Sequence, residues 1–218
     1  LILSEYCHLS TYNRREMYTD PGLHDAWGKG FAKMWEKMYT SENIIGGSIW
    51  AGISDVFHLP NPVNGLNTVG YGHWGPLDGY RRPKPEYHHI KKTYSPVKVI
   101  TKKIDLTVND NALIKLHNRF DFTNLSNINI TARANEKQVT VKSNLKPRSF
   151  GHIKIPRRFC DSNDLFLTFA YDNGDIINSV LLPVIKPQPP KPKIIDSYLI
   201  TKQNEKTASE PVSIPLTL

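Results

Sequence analysis

Cysteine is scarce in this chain. Cys7 and Cys160 are the only two thiols in 218 residues, too few and too far apart for a disulfide framework or a cysteine-built metal site. They say nothing about compartment. Long apolar runs are missing too: none approaches the roughly 18 residues that a membrane-crossing helix needs. The opening Leu1-Ile2-Leu3 lacks the basic flank and the length of a signal peptide. No address is therefore legible, and a periplasmic or secreted location stays open. Acidic residues are outnumbered, 20 against 28 basic ones, for a net charge of +8. Such a balance can serve nucleic acid or an acidic polysaccharide, or can simply solvate a surface. What the chain does have is the material for a core. Hydrophobic residues make up 39% and charged residues 22%, which suits one large or two small folded domains and not a disordered chain.

Composition shifts along the chain. Residues 1–95 hold all four tryptophans, Trp27, Trp35, Trp50 and Trp74. Residues 96–186 are rich in Asn, Lys, Ile and Val. Residues 187–193 begin with Pro187-Gln188-Pro189-Pro190-Lys191-Pro192, a stiff extended linker. Residues 194–218 carry two strand-like runs, the expected start of a further β-rich domain.

In the first segment Leu1 to Ser4 reads as a short buried strand. Asp20-Pro21 reads as a helix start, Asp at the cap and Pro at the first helical position. Leu23, Ala26, Trp27, Phe31, Met34, Trp35 and Met38 then recur at spacings of three and four, one apolar helix face. Ile44 to Trp50 reads as a second buried strand, with Gly46-Gly47 where another backbone can approach closely. Residues 52–84 read as a long Gly-, Pro- and Asn-rich loop, and Pro85 to Tyr94 as a short helix. Strand, helix and strand with continuous apolar runs predict parallel pairing. Two strands do not close a sheet, so the expectation is a barrel whose earlier part lies upstream.

The second segment alternates with a period of two. Ile114, Leu116, Asn118 and Phe120 form one such run; Ile128, Ile130 and Ala132, then Val139 and Val141, form two more. Leu165, Leu167, Phe169 and Tyr171 complete the set. Turn residues fall between the runs, at 109–111, 134–137 and 172–175. Six or seven short strands at this spacing predict an antiparallel β-sandwich of about 90 residues.

Three constellations carry chemistry. In Ser4-Glu5-Tyr6-Cys7-His8 a carboxylate follows an apolar strand, at the end where β/α barrels keep their active sites. A retaining glycosidase needs such a nucleophile, with an acid/base carboxylate about 5–5.5 Å away. Tyr or His beside it can hold it ionised. On spacing alone Glu5 also reads as a Glu at a helix or loop start, paired with a surface Lys. In Gly46-Gly47-Ser48-Ile49-Trp50 the closing aromatic is either a sugar platform or core. The segment Tyr71 to Tyr87, with Gly, Pro, aromatic and charged residues interleaved, either shapes a pocket or connects two elements.

Taken in order, "SEYCH", a helix, "GGSIW" and a loop ending "DGYRRPKPEYHHIKKTYSPV" resemble the end of the catalytic barrel in family 2 glycoside hydrolases of the β-galactosidase type. "NRFDFTNLSNINI" (118–130) resembles the opening strands of the sandwich that follows there. The resemblance spans residues 1 to about 186. It implies the last two β/α units of a TIM-type barrel followed by an immunoglobulin-like antiparallel β-sandwich. It also implies retaining hydrolysis of β-galactosides or related oligosaccharides. Glu5 matches the catalytic nucleophile, His8 a substrate-contacting histidine and Trp50 the aromatic wall of the sugar pocket; Tyr6, Trp74 and Asp55 are assigned to substrate binding. The acid/base Glu would come from an earlier strand, upstream of Leu1, so the 218 residues alone are expected to be inactive. No metal ligand and no cofactor is assigned, though a structural or substrate-linked sodium or magnesium ion is compatible with the parent. The sequence departs from the pattern after Trp50, where Ala51-Gly52-Ile53-Ser54-Asp55 stands in place of acidic and aromatic residues. It departs again near Trp74-Gly75, where the family carries an Asn that binds sodium and sugar.

Other readings are weaker. His88-His89 with His73 make a poor metal site, because neighbours on a helix point about 100° apart. Cys7-His8 is a poor catalytic pair, since a base adjacent in sequence cannot readily activate its neighbour. The stretch from Arg81 to Lys103, with Tyr80, Tyr87 and Tyr94 interleaved, could hold nucleic acid or an acidic glycan, but no nucleic-acid motif accompanies it. The expected partner is therefore carbohydrate, with no nucleic acid and no membrane, and the oligomeric state is left open. The rival to an enzyme is a non-catalytic carbohydrate-binding or spacer module.

Overall fold

A computed structural model describes residues 1–8, 19–61, 65–72, 74–108 and 110–187, with backbone only for 56–59, 61 and 65–72. The strand reading of 194–218 and nearly all of the linker fall outside these residues.

The helix start is built as the sequence predicts. Helix α1 spans Pro21–Thr40, and the Asp20 side chain accepts a hydrogen bond from the Gly22 amide at 2.7 Å. That satisfies one of the donors which a helix leaves without a partner at its N-terminus. Phe31 and Met38 are buried on the inner face, with Trp27, Met34 and Trp35 packed around them. Leu23 and Ala26 are exposed, so the apolar stripe is shorter than its spacing predicts. Helix α2 spans Pro85–Thr93 and crosses α1 at Gly28, where an added Cβ would stand 2.2 Å from the His89 imidazole.

Strands β1 (Ile2–Tyr6) and β2 (Gly46–Ile49) pair in parallel, as strand-helix-strand patterning predicts. A Cβ at Gly47 would sit 2.6 Å from the Leu3 carbonyl oxygen, so the close backbone approach requires glycine there. The strands are only partly buried, however: Tyr6 is buried with Leu3 and Ile49 packed around it, while Ile2 and the flanking Leu1 and Ile45 are exposed. A second correction concerns the long loop. Its first half is an antiparallel hairpin, β3 (Asp55–Asn61) with β4 (Gly65–Gly72). Its glycines and prolines sit among residues that still pair by backbone, which composition alone does not reveal.

Downstream, β5 (Val97–Val99), β7 (Asn111–Asn118) and β10 (Ser149–Pro156) form one sheet in the order β10-β7-β5. The other sheet has the order β6-β12-β11-β8-β9. Its strands are β6 (Ile104–Asp105), β8 (Asn129–Ala134), β9 (Lys137–Val141), β11 (Asp164–Ala170) and β12 (Ile176–Ile185). Alternate residues of both sheets meet in one cluster: Ile114 and Leu116 from one, Ile130, Leu165, Leu167 and Phe169 from the other. Full burial of side chains of this size contributes about 1.5–3 kcal/mol each. The turn readings at 134–137 and 172–175 hold. Ala134 pairs with Lys137 across Asn135, whose φ of 51° is the left-handed conformation that a two-residue hairpin needs. Gly174 has a φ of 90° in the β11–β12 turn. Leu1–Ile185 is one compact unit, while its apolar interior falls into two clusters, one around α1 and one between the sheets.

Candidate functional site

Glu5 is the next-to-last residue of β1, near its C-terminal end, with its side chain half exposed. Two residues on, Cys7 has a φ of 52°, and this left-handed turn brings His8 back over the strand end. His8 Nε2 then lies 3.5 Å from Glu5 Oε2. The His8 ring meets the Trp74 ring edge to face, centroids 5.8 Å apart. Three residues named from sequence, Glu5, His8 and Trp74, are therefore brought together.

Trp74 is held in place by its neighbours. Gly75 lies so close to Ile53 that a Cβ would meet its backbone at 2.5 Å. Ser54 N–H donates to the Leu77 carbonyl at 2.8 Å, and Lys84 Nζ donates to Ser54 Oγ at 3.2 Å. Burial pushes the Lys84 ammonium below its ordinary value, with Glu86 and Asp78 opposing that shift. Segment 74–84 is in this way pinned across 53–54, and Trp74 is buried.

Tyr6 points the other way, since neighbouring residues of a strand face opposite sides. It is buried against α1, its ring stacked on Phe31 at 6.2 Å and its hydroxyl bonded to the Tyr94 hydroxyl. Burial pushes both phenols up, so both are neutral. In this arrangement Tyr6 belongs to the apolar interior and not to an open pocket. Cys7 also faces inward, 3.4 Å from Met34 Sδ, its thiol pushed up by burial. Trp50 stands just past β2, 44% exposed, and its amide donates to the Tyr6 carbonyl at 3.4 Å. That bond keeps the Trp50 backbone at the same end of the pair as Glu5. Asp55 opens β3 opposite Gly72 and is half-buried. Among the described residues no group of three His, Cys, Asp or Glu could hold a metal ion, and no helix is long and apolar enough to cross a membrane.

No family model and no curated protein matches the chain. Among solved structures it is similar to an X-ray structure of the endo-beta-1,4-mannanase from Thermotoga petrophila, at 10% identity and a TM-score of 0.29. The match covers 85% of this chain and 39% of that one, so the chain spans well under half of that enzyme's length. Likeness this loose fixes neither the reaction nor the substrate.

Other polar features escaped the sequence reading. Glu86, in the first turn of α2, is fully buried and bonded to His24 of α1, while its Oε2 has no hydrogen-bond partner among the described residues. Glu36 of α1 binds both Arg119 and Lys98. Both acids sit on helices among ordinary surface residue types, and only the tertiary fold brings their partners near. Within the basic stretch from Arg81 to Lys103, Arg82 is paired with Asp78, Lys84 Nζ donates to Ser54 and Lys98 is paired with Glu36.

Proposed function

We propose that this chain is part of a retaining β-glycosidase, β-galactosidase-like in type, which hydrolyses O-glycosidic bonds by double displacement. One observation carries the reading: an exposed Glu5 carboxylate at the C-terminal end of a parallel strand pair, with His8 beside it and Trp50 at the end of the next strand. Active sites of β/α barrels lie at that end. On this reading residues 1–95 are the last two β/α units of a TIM-type barrel, and 96–186 are an immunoglobulin-like sandwich. Residues 187–193 are a linker to a further β-rich domain. Glu5 Oε attacks the anomeric carbon and the glycosidic oxygen leaves, giving a covalent glycosyl-enzyme. A second carboxylate, from an earlier barrel strand, protonates that oxygen and then takes a proton from the water that releases the sugar. His8, near the second Glu5 oxygen, orients the carboxylate. The exposed Trp50 ring offers a flat face to sugar C–H groups.

The deciding experiment is inactivation of the parent enzyme by a 2-deoxy-2-fluoro-β-galactoside, followed by peptide mapping. The label is expected on Glu5. Complete inactivation with the label on a different carboxylate would overturn the assignment.

A further inference from the structure

The sequence assigns Trp74 to substrate binding together with Trp50. The structure separates the two side chains. Trp50 is 44% exposed, whereas Trp74 is only 8% exposed, so its ring offers no open platform to a sugar. The Trp74 ring instead packs against His8, with the planes 81° apart and the centroids 5.8 Å apart. His8 Nε2 in turn stands 3.5 Å from Glu5 Oε2. A buried aromatic ring thus supports the histidine that approaches the carboxylate.

The two sides of this contact are held unequally. Trp74 begins a braced segment. Leu77 bridges to Ile53 on one side and to Pro83 on the other. The Ser54 amide donates to the Leu77 carbonyl at 2.8 Å, and the Lys84 amide donates to the Pro76 carbonyl at 2.8 Å. Gly75, next to Trp74, lies so close to the Ile53 backbone that no Cβ fits between them. His8 has less around it. It follows the left-handed turn at Cys7, and its side chain is 42% exposed. A side chain so exposed changes rotamer readily unless a neighbour prevents it. Edge-to-face packing on a fixed ring is such a restraint, because it favours one orientation of the imidazole plane. Trp74 is the fixed partner and His8 the one that is held.

We infer that Trp74 is a positioning residue: it holds the His8 ring over the end of β1, and through His8 it sets the direction of the Glu5 carboxylate. The inference rests on the reading of Glu5 as the nucleophile. It moves Trp74 from contact with sugar to support of the group beside the reacting atom. Misplacement of a reacting group by about 1 Å can cost about a hundredfold in rate. Trp74 therefore acts on kcat without touching substrate.

The test is steady-state kinetics of the parent enzyme on an aryl β-galactoside, with E5Q, H8A, W74F, W74L, W74M and the double variant H8A/W74L, each checked for folding by thermal melt. W74L is expected to lower kcat at least tenfold and to leave KM within about twofold. W74F keeps an aromatic ring and should retain at least a third of kcat. H8A should lose about as much as W74L, and the double variant should lose little more than either single one, since both changes break the same chain of contacts. W74M fills irregular space better than leucine and also lacks a ring, so it decides the matter if W74L does not fold. Three results would each overturn the inference: full kcat in H8A or in a folded ringless variant, a raised KM with kcat kept in that variant, or losses that multiply in the double variant. Retained activity in E5Q would instead overturn the reading of Glu5 itself, whatever the Trp74 variants do.

Discussion

Arg119 Nη2 stands 2.6 Å from Glu36 Oε1, a contact that joins helix α1 to the residue after β7 across 83 positions of sequence. Lys98 donates to the other oxygen. Burial works against the Glu36 carboxylate, and hydrogen bonds from Arg119 and Lys98 outweigh it, holding the acid down to about 2. Because the folded value lies below the unfolded one, this stabilisation is complete above the unfolded value. It fades as pH falls toward about 2. The side chain is 41% exposed, so solvent screening limits the effect to about 1 kcal/mol. Urea unfolding between pH 6 and pH 2.5 should show the wild type losing that much more stability than Glu36→Gln. Parallel pH profiles would remove the pair from the account.

The crossing of α1 and α2 depends on an absent side chain. At Gly28 a Cβ would stand 2.2 Å from His89 Nδ1. Gly28→Ala should therefore cost about 1–3 kcal/mol, although alanine favours helix. The pair Gly28→Ala/His89→Ala should recover most of that loss, because the second change removes the ring in the way. Thermal melts of the single and double variants check it. A double variant no more stable than the single would mean that the contact is not the cause.

A similar argument applies between strands. Gly47→Ala would place a methyl carbon 2.6 Å from the Leu3 carbonyl oxygen, which is backbone and cannot swing away. The expected loss is about 1–3 kcal/mol, read from the denaturation midpoint. Gly46→Ala meets no atom within 4 Å, but its φ of 150° strains any side chain there.

These positions also mark what could be read from residues alone. The cap at Asp20-Pro21, the parallel pairing of β1 with β2 and the alternation through β7, β8 and β11 were legible, because each is a local pattern with one geometric solution. The hairpin β3–β4 was not: its glycines, prolines and asparagines look like loop, and its pairing is made by backbone. Strand β10 was hidden in the same way by Gly151 and His152 within its run. At the site, Glu5 and His8 could be named together because three positions separate them. Trp74 reached His8 only through Gly75 packed on Ile53, a contact between distant segments. Tyr6 shows the limit of naming by proximity, since the residue beside Glu5 points into the apolar interior. The exposure of Leu1, Ile2 and Ile45 was equally illegible, because an apolar run does not say how many of its faces are covered.

The catalytic role proposed for Glu5 makes two predictions that pull apart. The side chain is half exposed, and the contact found for it is the 3.5 Å approach of His8. Glu5→Gln should therefore leave unfolding free energy within about 0.5 kcal/mol of wild type. If Glu5 forms the covalent glycosyl-enzyme, the same change in the parent enzyme removes the attacking charge and keeps the shape. Its kcat on an aryl β-galactoside should then fall by roughly 10⁴-fold or more, since loss of a nucleophile is not made up by its neighbours. A structural role would move both quantities together. An unchanged melt with unchanged kcat would leave Glu5 as an ordinary exposed acid, and the glycosidase reading would lose the residue on which it stands.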